Sequence, residues 1–278
     1  MGRLRCYALA FVVLLSGGRS LAQLSPPNEA GVSMGHLQFI VKDVEASNDF
    51  WIKVGGTPAR LASVEAVKFP GVIILFQQGE PSGGTAGSTV NHVGFSVPNV
   101  EAATAKWQAA GLKVLPGRVS HGECYILTPD ALTKIEILED PSLKVPIAFQ
   151  QIHFYLAETG PNSGTTAEIE NWYVKTFGAK HSTFLTAEGK PRPGAADLPG
   201  VSLRFAKSET PTVSIKGRTL GQIGFEVKDL KSFCKKARAS GLKFDSPYEK
   251  RRDLGVSRAR LTDPWGTPIE LTEGLDRL

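Results

Sequence analysis

The sequence predicts an α+β fold built from four copies of one strand–helix–strands unit. Three observations predict it. Asp43, Asn99, Thr166 and Asp229 each open a helix-like stretch, and Gly55, Gly111, Gly178 and Gly241 close them, twelve residues later in every case. Asp, Asn and Thr accept hydrogen bonds from the unpaired N–H groups of a helix start, and Gly tolerates the left-handed turn past a helix end. The preceding strands match as well, since His36, His92 and Gln222 each lie seven residues before their cap. Phe69-Pro70-Gly71-Val72 is echoed by Leu198-Pro199-Gly200-Val201, and Gly111-Leu112-Lys113-Val114 by Gly241-Leu242-Lys243-Phe244. The units therefore run in the order A-B-A′-B′, which predicts two domains over residues 34–142 and 150–275.

The elements follow in order. Residues 23–33 read as a leader. Met34 to Val41 alternates, with His36, Gln38 and Ile40 on one face and Leu37, Phe39 and Val41 on the other, as a half-buried strand does. The first helix carries Phe50 and Trp51 late in its length, and the unit ends in the apolar run Val72 to Phe76. Residues 79–90 are rich in Gly, Ser and Thr and form a loop. The second unit starts at His92 and ends in Lys134 to Leu138. Residues 140–147 (DPSLKVPI) are expected to be the interdomain linker. The third unit opens with Gln151 to Leu156, and an insertion (TGPNSGTT) places His153 thirteen residues before Thr166. Trp51, Trp107 and Trp172 fall late in three helices and are expected to anchor the core.

Composition is that of a globular protein, 41% hydrophobic and 21% charged over 278 residues. Residues 1–22 stand apart. Arg3 and Arg5 precede an apolar run from Cys6 to Leu15, and Ser20-Leu21-Ala22 offers a small-x-small cleavage site, the layout of a secretory signal peptide. The run is shorter than the roughly 20 residues a membrane span needs. The expected location is periplasmic or extracellular, with no membrane attachment after cleavage. Losing the segment's three arginines lowers the net charge from +5 to +2, so overall charge gives no case for a nucleic-acid partner. Cys124 and Cys234 fall in different units without paired spacing and read as buried free thiols.

Three segments carry a family resemblance: His36 to Asp43 (HLQFIVKD) with Ser47 and Phe50-Trp51, Glu170 to Gly178 with Trp172 and Tyr173, and Asp263 to Glu270 (DPWGTPIE). With the repeat spacing they cover nearly all of the chain after residue 22. The chain resembles the vicinal oxygen chelate superfamily, which includes glyoxalase I, fosfomycin- and bleomycin-resistance proteins and extradiol dioxygenases. The resemblance implies four βαβββ modules paired into two cups around a metal or ligand. Fold alone leaves the chemistry open.

Carried over position by position, the resemblance implies a divalent-metal site of His36, His92 and Glu136 in the first domain. Each alternates against apolar neighbours, as cup-lining ligands should. Two imidazoles and one carboxylate leave open positions for a substrate with adjacent oxygens, and iron, manganese, zinc and nickel are all compatible. The turn before Glu136 is one residue longer than that before Glu270, and Ala131 replaces its glycine, so Glu136 is either held in place or displaced. His153, Gln222 and Glu270 are the matching set of the second domain, where metal and a degenerate, shape-giving role stay open alike. The run Val72 to Gln78 and its counterpart around Arg204 lack the fourth carboxylate of glyoxalase-type sites.

His121 and Tyr125 are candidate proton acceptors. Their spacing matches the extradiol signature only in part, and Tyr125, the better candidate, is equally compatible with a wall position. Arg260 occupies the corresponding place in the last unit. Lys235, Lys236, Arg238, Lys250, Arg251, Arg252, Arg258 and Arg260 form either a solvated face or a field that steers an anion. His181 lies in a loop-like, exposed stretch. The leading expectation is an exported metal-dependent enzyme, dioxygenase-like or lyase/isomerase-like, acting on a small-molecule substrate as a monomer or homodimer. The alternative is a metal-free binding protein of the bleomycin-resistance type.

Overall fold

The computed structural model describes residues 23–115, 122–185 and 189–278. The signal-like segment and His121 lie outside the described residues. Four modules follow one another. The first is β1 (Val32–Val41), α1 (Val44–Val54), β2 (Thr57–Leu61), β3 (Val64–Phe69) and β4 (Val72–Gln78). The second is β5 (Val90–Val97), α2 (Val100–Ala109), β6 (Val114–Leu115), β7 (Glu123–Leu127) and β8 (Lys134–Glu139). The third is β9 (Ala148–Leu156), α3 (Thr166–Phe177), β10 (Lys180–Leu185), β11 (Pro191–Leu198) and β12 (Val201–Lys207). The fourth is β13 (Leu220–Val227), α4 (Leu230–Ala239), β14 (Ser246–Arg251), β15 (Val256–Thr262) and β16 (Pro268–Glu273). Among the described residues no helix is long and apolar enough to cross a membrane.

The caps explain where the helices start. Asp43, Asn99 and Asp229 accept from Ala46, Ala102 and Ser232 backbone N–H groups at 2.9, 2.7 and 3.0 Å. For α3 the cap is Thr165, not Thr166. Glu168 lies three residues past Thr165, so the two close a reciprocal capping box, an arrangement Thr166 has no acid to complete. Gly178 ends α3 in the left-handed conformation at φ 68°.

The modules pair differently from the expected order. One eight-stranded sheet runs β14-β15-β16-β13-β1-β4-β3-β2 and joins the first module to the fourth. The other runs β10-β11-β12-β9-β5-β8-β7-β6 and joins the second to the third. The predicted boundaries 34–142 and 150–275 fall between modules, but each sheet takes one module from either side of them. Residues 140–147 thus connect β8 and β9, which flank β5 in the same sheet. The physical reason is the central antiparallel pairing. β1 lies against β13, with Leu37 opposite Ile223, and β5 lies against β9, with Val93 opposite Ile152.

Helices cover the inward faces, and one apolar core fills the space between the two sheets. Trp51 of α1 has ring centroids of Phe39, Phe69 and Phe95 at 5.5, 5.8 and 5.7 Å, so it bridges the outer-module sheet to the inner-module sheet. Phe177 of α3 meets Phe225 of β13 at 4.9 Å and bridges them a second time. Trp51 and Trp107 are buried, and Trp107 donates its indole N–H to the Val54 carbonyl at 3.0 Å. Truncating either tryptophan to Ala would cost about 3–5 kcal/mol. Trp172 only borders this core. Cys124 and Cys234 are buried free thiols, as expected. His181 is exposed but lies on β10 rather than in a loop, 2.6 Å from the Glu170 carboxylate.

Candidate metal centre

Strand alternation decides which side chains face the cups. On β1, Leu37 and Phe39 go to the core, which leaves His36 and Gln38 on the other face. The same parity exposes His92 of β5, Gln151 and His153 of β9, and Gln222 of β13 to their cups. Glu136 stands opposite Gly94, two residues past His92, and Glu270 opposite Gly224, two past Gln222. The equivalent positions of the other two modules hold Leu75, opposite Gln38, and Ala206, opposite Tyr155. The fourth carboxylate is therefore absent from both cups, as the sequence indicated. Glu136 keeps its register despite the longer turn. Ala131 takes the extra residue at φ 57°, and Thr128 and Thr133 close the loop at 3.0 Å.

The inner cup gathers His92, Glu136 and His153. His92 Nε2 lies 3.1 Å from Glu136 Oε2 and 3.1 Å from His153 Nδ1. The three ligand atoms all lie within 4.8 Å of one another. Asn91 Oδ1 backs the other ring nitrogen of His92 at 2.9 Å. Tyr125 donates its hydroxyl to Glu136 Oε1 at 3.0 Å, and Gln151 donates its amide to Glu136 Oε2. His153 is thus a partner of His92 and Glu136, and His36 is not. The expected triad of His36, His92 and Glu136 is corrected on this point, because β5 pairs with β9 and β1 with β13.

The electrostatics leave a neutral nitrogen donor and an ionised carboxylate. Burial, with the neighbouring charges of His92 and Arg204, pushes His153 down to about 3, so its imidazole is neutral and keeps a lone pair. Burial alone would raise Glu136, but the hydrogen bonds it accepts from His92 and Tyr125 hold it down at about 2. Burial and the charge of Glu136 push the Tyr125 phenol well above its usual range. Tyr125 is a hydrogen-bond donor to Glu136 in this structure.

The donor set also fits in size. Nitrogen and oxygen ligands about 2.1 Å from an ion, at right angles, lie about 3.0 Å apart, close to the two 3.1 Å separations seen. Two imidazoles and a carboxylate on one face suit a first-row divalent ion with open positions.

The outer cup gathers His36, Gln222 and Glu270. His36 Nε2 is 3.1 Å from Glu270 Oε2, though out of hydrogen-bonding alignment, and Gln222 donates to the same oxygen at 3.1 Å. Arg260 holds the other oxygen at 2.8 Å. It occupies the register position of Tyr125, since Arg260 faces Glu270 as Tyr125 faces Glu136. Burial would raise Glu270, but His36 and Arg260 hold it at about 2. A divalent ion here would meet a guanidinium already bound to Glu270, while nearby Glu226 is engaged by Thr272 and the Gly274 and Leu275 N–H groups, so this cup fits a metal poorly.

The sequence missed Gln151, Tyr155 and Gln38. Their signal was the strand parity, since each lies two residues from a predicted ligand. Tyr155 packs against His153, ring centroids 4.9 Å apart.

The profile of the Glyoxalase/Bleomycin resistance protein/Dioxygenase superfamily matches residues 33–130 and 159–271. The chain belongs to that superfamily. A single-residue variant of glyoxalase I from Zea mays has a similar structure, with a TM-score of 0.67 and 15% identity over 89% of this chain and 95% of that one. Unmodified Zea mays glyoxalase I gives 0.65 and 15% over 88% and 94%. A Bacillus subtilis protein provisionally described as a dioxygenase gives 0.58 and 15% over 91% and 86%. At these identities the likeness is one of fold. No curated protein matches the chain.

Proposed function

We propose that the protein is an exported metal-dependent enzyme whose single metal centre is His92, Glu136 and His153, and that it acts on a small molecule through two adjacent oxygens. The observation that carries this is the convergence of two ring nitrogens and one carboxylate oxygen in the inner cup, with His92 3.1 Å from each of the other two and all three within 4.8 Å. A bound divalent ion would supply Lewis acidity to a substrate oxygen. The protein's own residues do the rest. Glu136 is oriented by Gln151 and Tyr125, one on each oxygen. Asn91 fixes the ring of His92, the kind of outer support that ligating histidines have. Tyr155, packed against the His153 ring, is a phenol that keeps its proton and can donate it to a substrate oxygen. Export rests on the signal-like layout of residues 1–22, and the mature amino terminus, read by mass spectrometry, checks it.

The test of the chemistry is turnover by metal-loaded protein on catechols, α-keto hemithioacetals and epoxides, with Glu136→Gln as the comparison. Turnover present in the native protein and lost in the variant supports the reading. Turnover equal in both, or bound substrate left unchanged by metal-loaded protein, sinks it.

A further inference from the structure

The outer cup differs from the inner one in what fills it. Leu61, Ala66, Ile73, Leu75, Val256 and Leu275 form a second apolar cluster there, separate from the main core. A cavity of about 90 Å³ remains beside this cluster. Its apolar wall includes Leu61, Val64, Leu75 and Phe76, and its polar end is Gln38, Arg258, Arg260 and Glu270. Arg258 and Arg260 lie two residues apart on β15, so they share a face, opposite Thr272 and Glu270 respectively. Arg260 spends its Nε on Glu270 at 2.8 Å. Arg258 turns its Nε to Glu249 at the rim and brings Nη1 to within 4.0 Å of Glu270. The cavity's polar end thus holds two guanidinium groups beside Glu270, with Glu249 pairing Arg258 from the rim.

We propose that this cavity is a metal-free binding site for a small carboxylate with a short apolar body. A guanidinium presents paired N–H donors that match a carboxylate's two oxygens. A partly buried positive charge beside an apolar wall is stabilised by an anion that also covers that wall. A divalent cation would be repelled by the same two arginines and would find Glu270 already engaged. The volume suits a short acyl chain and excludes a polycyclic ligand. The two cups of one chain thereby divide the work, with metal in the inner one and an organic anion in the outer.

Isobutyrate is the probe, with isobutanol as its uncharged counterpart, titrated by calorimetry and by protein NMR into metal-loaded and chelator-treated protein. Two variants accompany the native chain. Arg258→Gln leaves the Arg260–Glu270 pair intact, and Val64→Trp fills the cavity from a half-buried strand position; circular dichroism confirms that both fold. The expected result is one saturable isobutyrate site per chain, unaffected by chelator, weakened about tenfold in Arg258→Gln and abolished in Val64→Trp, with isobutanol not binding. Absence of saturable binding to the native chain would overturn the proposal. So would binding that survives Val64→Trp, binding lost on chelation, or a second metal equivalent that disappears in Glu270→Gln.

Discussion

His92 and His153 stand opposite each other across the β5–β9 junction, with Nε2 and Nδ1 3.1 Å apart. They belong to different modules, and only the antiparallel pairing of the second and third modules brings them together. His36, the residue that the repeat spacing places beside His92, faces Glu270 in the other sheet instead.

Gln151 supports the candidate centre from the cup wall by donating to Glu136 Oε2. Removing such a support typically costs 10–100-fold in metal affinity. Gln151→Ala is expected to weaken metal binding by about that factor while leaving the folded state intact. Competition against a chromogenic chelator measures it, and an unchanged affinity would remove Gln151 from the centre.

Asp263 gives the pH dependence a clear sign. Burial pushes its carboxyl up to about 6, although Tyr173, Trp265 and Thr267 all donate to it. A raised carboxyl favours the protonated folded state. Its contribution to stability is full below about pH 4 and is lost as pH rises through about 6. Asn keeps an acceptor for the two backbone N–H groups and an amide that can donate to the Tyr173 oxygen. Asp263→Asn should match the native protein near pH 4 and exceed it at pH 8 by on the order of 3 kcal/mol. Denaturant unfolding at the two pH values reads this, and a difference that does not change with pH would contradict it.

Ala131 holds the turn before Glu136 at φ 57°, where its counterpart Gly266 sits at φ 85°. A left-handed non-glycine residue costs about 1–2 kcal/mol, and glycine loses about 0.5–1 kcal/mol of that gain through its freer unfolded chain. Ala131→Gly should therefore raise stability by about 0.5–1 kcal/mol, with metal binding unchanged. A drop in unfolding midpoint would show that the turn carries no strain.

Gly224 gives the His36 ring its place. A Cβ there would lie 2.1 Å from Cε1 and 2.2 Å from Nδ1 of His36, a fully buried ring with nowhere to retreat. Gly224→Ala should destabilise by about 1–3 kcal/mol and leave metal content at the inner cup intact. Thermal unfolding and elemental analysis read the two parts separately.

Local chemistry was largely legible in the sequence. Asp43, Asn99 and Asp229 cap as their side chains dictate, strand parity placed His36, His92 and Glu136 on cup faces, and the family resemblance placed Gln222 and Glu270. Thr165 was missed because Thr166 also satisfies the spacing, and only the acid three residues on decides between them. The partnership of modules was not legible. Repeats that share one pattern can pair in more than one order, and the choice rests on long-range contacts such as Trp51 with Phe95. The opposite characters of the cups depended on that choice. Tyr125 and Arg260 were recognised as counterparts, but only the sheets show that Arg260 neutralises the carboxylate nearest His36.

Metal content of His36→Ala beside His153→Ala tests the central claim most directly. Both proteins are reconstituted with the same divalent metals as the native chain and measured by elemental analysis. The account predicts about one ion per chain in the native protein and in His36→Ala, and none in His153→Ala. Metal kept by His153→Ala and lost from His36→Ala would contradict it and move the centre to the outer cup.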